Sequence, residues 1–230
     1  SSDLLRMFQN AKPLSAETHR NLRFRNLPDY SFARDLLYAP ITHGEILEAA
    51  KIYPIVFPKE GMPIVLLGTE GKNQFVDDNG QWTVRYMPAH VVRYPFILGH
   101  TEREGEMVVM VDVDAPHFQT DEGERLFEED GTPTQVVERV KQFLGAYQEE
   151  SARSQQLTAR LFEAEILEER ALQRKEGDQQ RTVLRQFYVV NQKKFDALAD
   201  EPILAWRTDG PLRLVYAHLM SLSNLRQLKG

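Results

Sequence analysis

A chain of 230 residues, 42% hydrophobic and 27% charged, has the makeup of a soluble globular protein and can bury a core without staples. It contains no cysteine, which excludes a disulfide scaffold and thiolate metal ligands. The formal net charge is −6 with Lys and Arg scattered, which argues against nucleic acid as a partner. No apolar run approaches the roughly 20 residues that span a bilayer, and no signal-peptide pattern opens the chain, so the expected location is cytoplasmic. The sequence begins Ser1-Ser2 rather than with Met, which leaves room for residues or a cleaved signal ahead of it.

In chain order, residues 1–40 read as irregular, with Ser1 to Ala11 a short helix or an expression remnant. Leu22 to Arg25 alternates over one short strand, and Phe32 to Tyr38 suits a helical turn or two. The first marked helix starts at Thr42, where Thr42 and Glu45 have capping-box spacing and Ile41 and Ile46 that of a hydrophobic staple. Ile46, Ala49, Ala50 and Tyr53 share its apolar face, and Pro54 ends it.

Tyr53 to Phe96 reads as a compact β meander. Val56-Phe57 and Ile64 to Leu67 are apolar runs of strand length, and Asn79-Gly80 is a hairpin signal joining Gln74–Asp77 to Gln81–Tyr86. Trp82, Val84 and Tyr86 alternate to one face. Phe96–Gly99 and Met107–Val113 form a second expected hairpin, with Met107–Val111 apolar enough for a central strand.

Ala115 to Gly131 is a long acidic connection. Thr132-Pro133-Thr134-Gln135 opens a helix whose buried stripe is Val136, Val140, Phe143 and Tyr147, widened by Val137 and Leu144. A separate helical stretch is expected over Ala152–Glu169, with a seam of the chain expected near residues 150–156. Leu172–Lys175 and Thr182–Val190 read as a further hairpin, followed by helices at Asn191–Ala199, from Pro202 to Gly210, and from Pro211 onward. The expected fold class is α+β: a β-rich meander in the N-terminal half packed with helices, and a mostly helical C-terminal part with one hairpin, within a single domain over 1–230.

A run of residues is similar to the SapC family of bacterial proteins. It begins with Pro13-Leu14, His19 to Arg23 and Glu45, then Tyr53-Pro54-Ile55-Val56-Phe57, Leu66-Leu67-Gly68, Asn73 and Phe75-Val76. Gly80 with Trp82, Tyr86 with Pro88, and Arg93-Tyr94-Pro95-Phe96 follow. Asp112, Gly123, Leu126-Phe127, Gly131, Tyr216, His218-Leu219 and Ser221-Leu222 complete it. The resemblance implies a link to a type I export system for surface-layer proteins. Other members lie near genes for TonB-dependent receptors, flavin halogenase-like proteins and cupin-type proteins. It carries over no catalytic residues and no cofactor.

Two clusters are chemically suggestive. Asp112, Asp114 and His117 lie at a strand end, where two carboxylates of one face and an imidazole could hold a divalent metal; they also suit polar residues that terminate strand pairing. Trp82, Tyr86, Arg93 and Tyr94, with His90 and His100 nearby, could line a pocket in which Arg93 clamps a carboxylate or phosphate; they also suit an aromatic core. His218 on the apolar last helix is expected to bond a backbone carbonyl. Gly68 to Lys72 lacks the spacing of a phosphate loop, and Ser221 that of a hydrolase elbow. The expected function is an accessory or binding protein of surface-protein export or nutrient uptake that recognises a peptide, glycan or protein partner. The alternative is a metal-assisted enzyme modifying a peptide or carbohydrate, with Asp112, Asp114 and His117 as ligands.

Overall fold

The computed structural model describes residues 7–69, 71–100, 107–176 and 179–228, with only the backbone over 172–176 and 179–185. The chain opens with β1 (Ala11–Pro13), α1 (Ala16–His19) and β2 (Arg23–Phe24), then a 3-10 turn at Ser31–Ala33 and β3 (Tyr38–Pro40). Next come α2 (Ile46–Ala50), β4 (Ile55–Val56), β5 (Ile64–Leu66), α3 (Ala89–Val92), β6 (Phe96–His100) and β7 (Met107–Asp112). Two short strands, β8 (Phe118–Gln119) and β9 (Glu124–Arg125), lie within the acidic connection. The second half holds α4 (Gln135–Glu163), the hairpin of β10 (Leu167–Glu176) and β11 (Gln179–Val190), α5 (Gln192–Asp196), α6 (Asp200–Asp209) and α7 (Pro211–Ser221). Helix makes up 38% and strand 21%, in separate stretches of chain, so the class is α+β.

The strands form small sheets in the orders β1-β7-β6, β8-β2-β9 and β3-β5-β4, beside the β10-β11 pair. The N-terminal half is β-rich, but its strands are shorter than the periodicity suggests. The hairpin expected around Asn79-Gly80 pairs at a single bridge, Val76 with Trp82. Side chains occupy the groups a ladder would use: Asp77 Oδ1 accepts from Asn79 N and Gln81 N, and Trp82 Nε1 donates to Tyr86 O at 3.0 Å. Gly80 has φ +78°, and a Cβ there would lie 2.2 Å from Asp29 Oδ1, so this turn tolerates only glycine. Trp82, Val84 and Tyr86 still turn inward while Thr83 and Arg85 are exposed. The expected β6–β7 hairpin forms, with Phe96 opposite Val111; the turn expected over Glu102–Gly105 lies outside the described residues.

The two helices expected over 133–169 are one continuous helix, α4, of 29 residues, about 43 Å long at 1.5 Å per residue. The seam expected near 150–156 falls inside it. Small Ser151 and Ser154 keep its face continuous: both are buried, and each hydroxyl donates to the carbonyl four residues back. The helix ends where Glu165 takes φ +55°, a left-handed residue that stops the ladder. Leu167–Glu169, expected as helix, are strand. Phe143, expected in the stripe, is 39% exposed.

Along α4, Val136, Val137 and Leu144 pack with Phe96, Val109, Val111 and Phe127. Further on, Leu157 and Leu161 pack with Phe57, Trp206, Leu214 and Val215. A third cluster, with Ile41, Ile46, Tyr53, Val65 and Leu67, holds α2 against the β3-β5-β4 sheet.

Candidate functional site

Glu45 stands at the start of α2. The capping-box arm forms, since Oε2 accepts from Thr42 N at 2.8 Å and Thr42 Oγ1 at 3.0 Å. Oε1 accepts from Tyr86 Oη at 2.6 Å and Ala89 N at 2.8 Å. Glu45 therefore ties α2 to α3 across 44 residues of sequence. Tyr86 is thereby oriented as a structural donor, its hydroxyl held above the usual phenol range by burial and then by the Glu45 charge. Trp82 is half-buried, its indole shared between Tyr86 O and Tyr53 Oη.

Asp112 is fully buried at the end of β7. Its Oδ2 accepts from Gln9 N at 2.8 Å and Tyr94 Oη at 3.1 Å, and its Oδ1 from Asn10 N at 3.0 Å. The carboxylate anchors the segment leading into β1, beside which β7 runs as the central strand. Asp114 is exposed and accepts from Asn10 Nδ2 at 3.1 Å. His117 lies apart in an aromatic box of Phe24, Phe32 and Tyr94, whose ring centroids are 5.5–6.2 Å from its own. Its Nδ1 is buried with no partner, and burial lowers its pKa. Among the described residues no group of three or more His, Asp and Glu side chains is arranged to hold a metal ion. Tyr94, whose ring also stacks on Phe32 at 4.0 Å, faces the core.

His218 is fully buried. Its Nδ1–H donates to Ile55 O at 2.7 Å, and its Nε2 accepts from Val190 N at 3.1 Å. Burial pushes its pKa down to about 4, so the ring is neutral and pins β4 and β11 to α7. Ser221 Oγ continues the clamp by accepting from Ile55 N and donating to His218 O.

Arg93 is different. It follows α3 and lies between two rings, 5.3 Å from the centroid of Tyr147 and 5.8 Å from that of Phe8. Its Nε is buried without a hydrogen-bond partner, and among the described residues no carboxylate pairs with it. Burial draws the guanidinium pKa below its usual range, with Tyr147 opposing. The side chain is only partly buried, and the two rings offset part of the cost of withdrawing its charge from water, leaving Nε free to donate. Beside it opens a cavity of about 270 Å³. Met62, Ile97 and Leu98 supply apolar wall, and Gln148, Ser151 and Gln155 of α4 supply polar groups. His90 is buried at its edge, with Tyr147 Oη 3.4 Å from its Nδ1; His100 is exposed.

Of the residues singled out in the sequence, Tyr86 and Tyr94 serve Glu45 and Asp112, Trp82 bonds Tyr86 O and Tyr53 Oη, and Arg93 and His90 line the cavity. Sequence reasoning missed the α4 wall. Its signal was Ser151, a small polar residue on the buried helical face at i+4 from Tyr147.

An α+β chain with a half-buried arginine at a small mixed cavity is the class that fold and site define. The SapC family profile matches residues 14–228, nearly the whole chain, and the protein belongs to that family. No curated protein and no solved structure matches it. Among the described residues no helix is long and apolar enough to cross a membrane.

Proposed function

We propose that this chain is a cytoplasmic binding protein of bacterial surface-protein export or nutrient uptake, and that it captures the carboxylate of a peptide or protein partner at Arg93. The observation that carries this reading is the half-buried guanidinium whose Nε is buried without a partner, set at a cavity with apolar wall on one side and amide and hydroxyl groups on another. A planar fork of N–H donors matches a carboxylate two-to-two. The apolar wall suits the last side chain of a peptide, and the α4 amides suit its backbone. A metal-assisted enzyme built on Asp112, Asp114 and His117 is the weaker reading, because both Asp112 oxygens already accept N–H and O–H donors.

Calorimetric titration with a short peptide ending in leucine, as free acid and as C-terminal amide, tests the proposal. The free acid is expected to bind at least about tenfold more tightly than the amide, and Arg93→Met to abolish the difference. Without peptide, R93M is expected to match the parent in stability or exceed it, because a partly buried charge without an ion-pair partner has been removed. Equal affinity for acid and amide, or unchanged binding by R93M, rules the reading out.

A further inference from the structure

The basic residues that look scattered in sequence gather at one place on the β8-β2-β9 sheet. A cavity of about 500 Å³ is lined by Arg20, Asn21, Arg23, Thr120, Arg125 and Glu129. Three guanidinium groups face one carboxylate, in a chain whose net charge is −6.

Arg23 of β2 and Arg125 of β9 are register partners on antiparallel strands. Directly opposite residues point to the same face, and like charges there destabilise the pair. The internal counter-charge is thin. Glu129 Oε1 is 4.0 Å from Arg125 Nη1, with its side chain 93% exposed. Glu122 is engaged with Arg25 at 2.7 Å and Glu124 with Arg139 at 3.3 Å, while Asp130, bonded to the Thr132 amide and hydroxyl, also feels the charge of Arg20. The juxtaposition is nonetheless held in place. Arg23 Nη1 donates to Gly123 O at 3.1 Å. Gly123, at φ +102°, brings the β8–β9 turn so close to β2 that a Cβ would lie 2.5 Å from Phe24 O.

We propose that this cavity binds an oxyanion ester of a small hydroxylated molecule, a sugar phosphate or a sugar sulfate. The anionic group sits between Arg23 and Arg125, with Arg20 adding a third guanidinium. Bidentate guanidinium donors suit tetrahedral oxyanions. The Asn21 amide, Thr120 hydroxyl and Glu129 carboxylate supply donors and acceptors for sugar hydroxyls. The absence of any apolar residue from the lining argues against a lipid, and the volume exceeds what a bare phosphate fills. This site shares no residue with the Arg93 cavity, so the two proposals stand or fall separately.

The test titrates the full chain with glucose 6-phosphate, glucose 6-sulfate and glucose, following heat of binding and thermal unfolding. One or both esters are expected to bind and to raise the unfolding temperature, while glucose does neither. Arg125→Gln is expected to weaken ester binding by about tenfold or more, with ester-free stability unchanged or improved because the like-charge pair is gone. R125K, which keeps charge but loses the fork, is expected to bind more weakly than the parent and serves if R125Q fails to fold. Binding of a single ester supports the site and identifies its source. Binding of neither ester, or equal ester affinity in parent and variants, overturns the proposal.

Discussion

Glu45 and Asp112 on one side, and Arg93 on the other, are charged groups wholly or partly withdrawn from water in the same half of the chain. Each carboxylate has a backbone or hydroxyl donor on both oxygens. Arg93 has two ring faces and an Nε with nothing to donate to. A buried charge with every lone pair engaged fixes architecture, whereas one left under-compensated favours an incoming counter-charge. The difference separates the aromatic residues as well: Tyr86 and Tyr94 donate to the carboxylates, while Tyr147 cushions the guanidinium.

The comparison breaks most visibly at Asp112. Asp112→Ala leaves Gln9 N, Asn10 N and Tyr94 Oη without their acceptor, and a loss of about 3–5 kcal/mol in urea unfolding is expected. A loss below about 1 kcal/mol would show that Asp112 does not anchor the segment entering β1. His218 extends the comparison to a neutral ring with both nitrogens engaged. Its folded pKa of about 4 lies below the ordinary histidine value of 6.5, so between those values the unfolded chain binds more protons. Its contribution is complete above pH 6.5 and is lost as pH falls toward 4, amounting to roughly 3 kcal/mol. Unfolding measured at pH 7 and pH 4.5 should show a smaller pH dependence in His218→Gln than in the parent; equal dependence would refute the assignment. The smallest effect is expected at Tyr86→Phe, which removes one donor and leaves Glu45 with Thr42 and Ala89. About 1–2 kcal/mol is expected by the same unfolding measurement, and a loss as large as that of Asp112→Ala would place the linchpin at Tyr86 instead.

The fold class, the β6–β7 hairpin and the helices after Asn191 were legible because local signals act there alone: turn residues, caps and proline breaks. The strand at Arg23–Phe24 was legible by alternation, yet its partners near residues 118 and 125 were not, because pairing across a hundred residues leaves no periodic trace. The hairpin at Gly80 was over-read for the converse reason. Its turn chemistry is genuine, but Asp77 and Trp82 side chains take the backbone groups that a longer ladder needs. Arg93 could be named from sequence as an anion clamp. Its lack of a partner could not, since that depends on which residues of α4 and of the segment before β1 arrive beside it.

The long helix α4 has hydrocarbon beneath both ends and little beneath its middle. Between Leu144 and Leu157 its buried side chains are Tyr147, Ser151 and Ser154, and the Arg93 cavity opens along that span. The helix is thus a beam resting on two piers, its centre held by polar contacts, where His43 N donates to Ser154 Oγ at 2.7 Å, beside the recess. Without large interlocking side chains there, small shifts of the span disturb little packed hydrocarbon. An occupant of the recess would act as a third support, bracing the stretch of chain that the two cores leave unfilled.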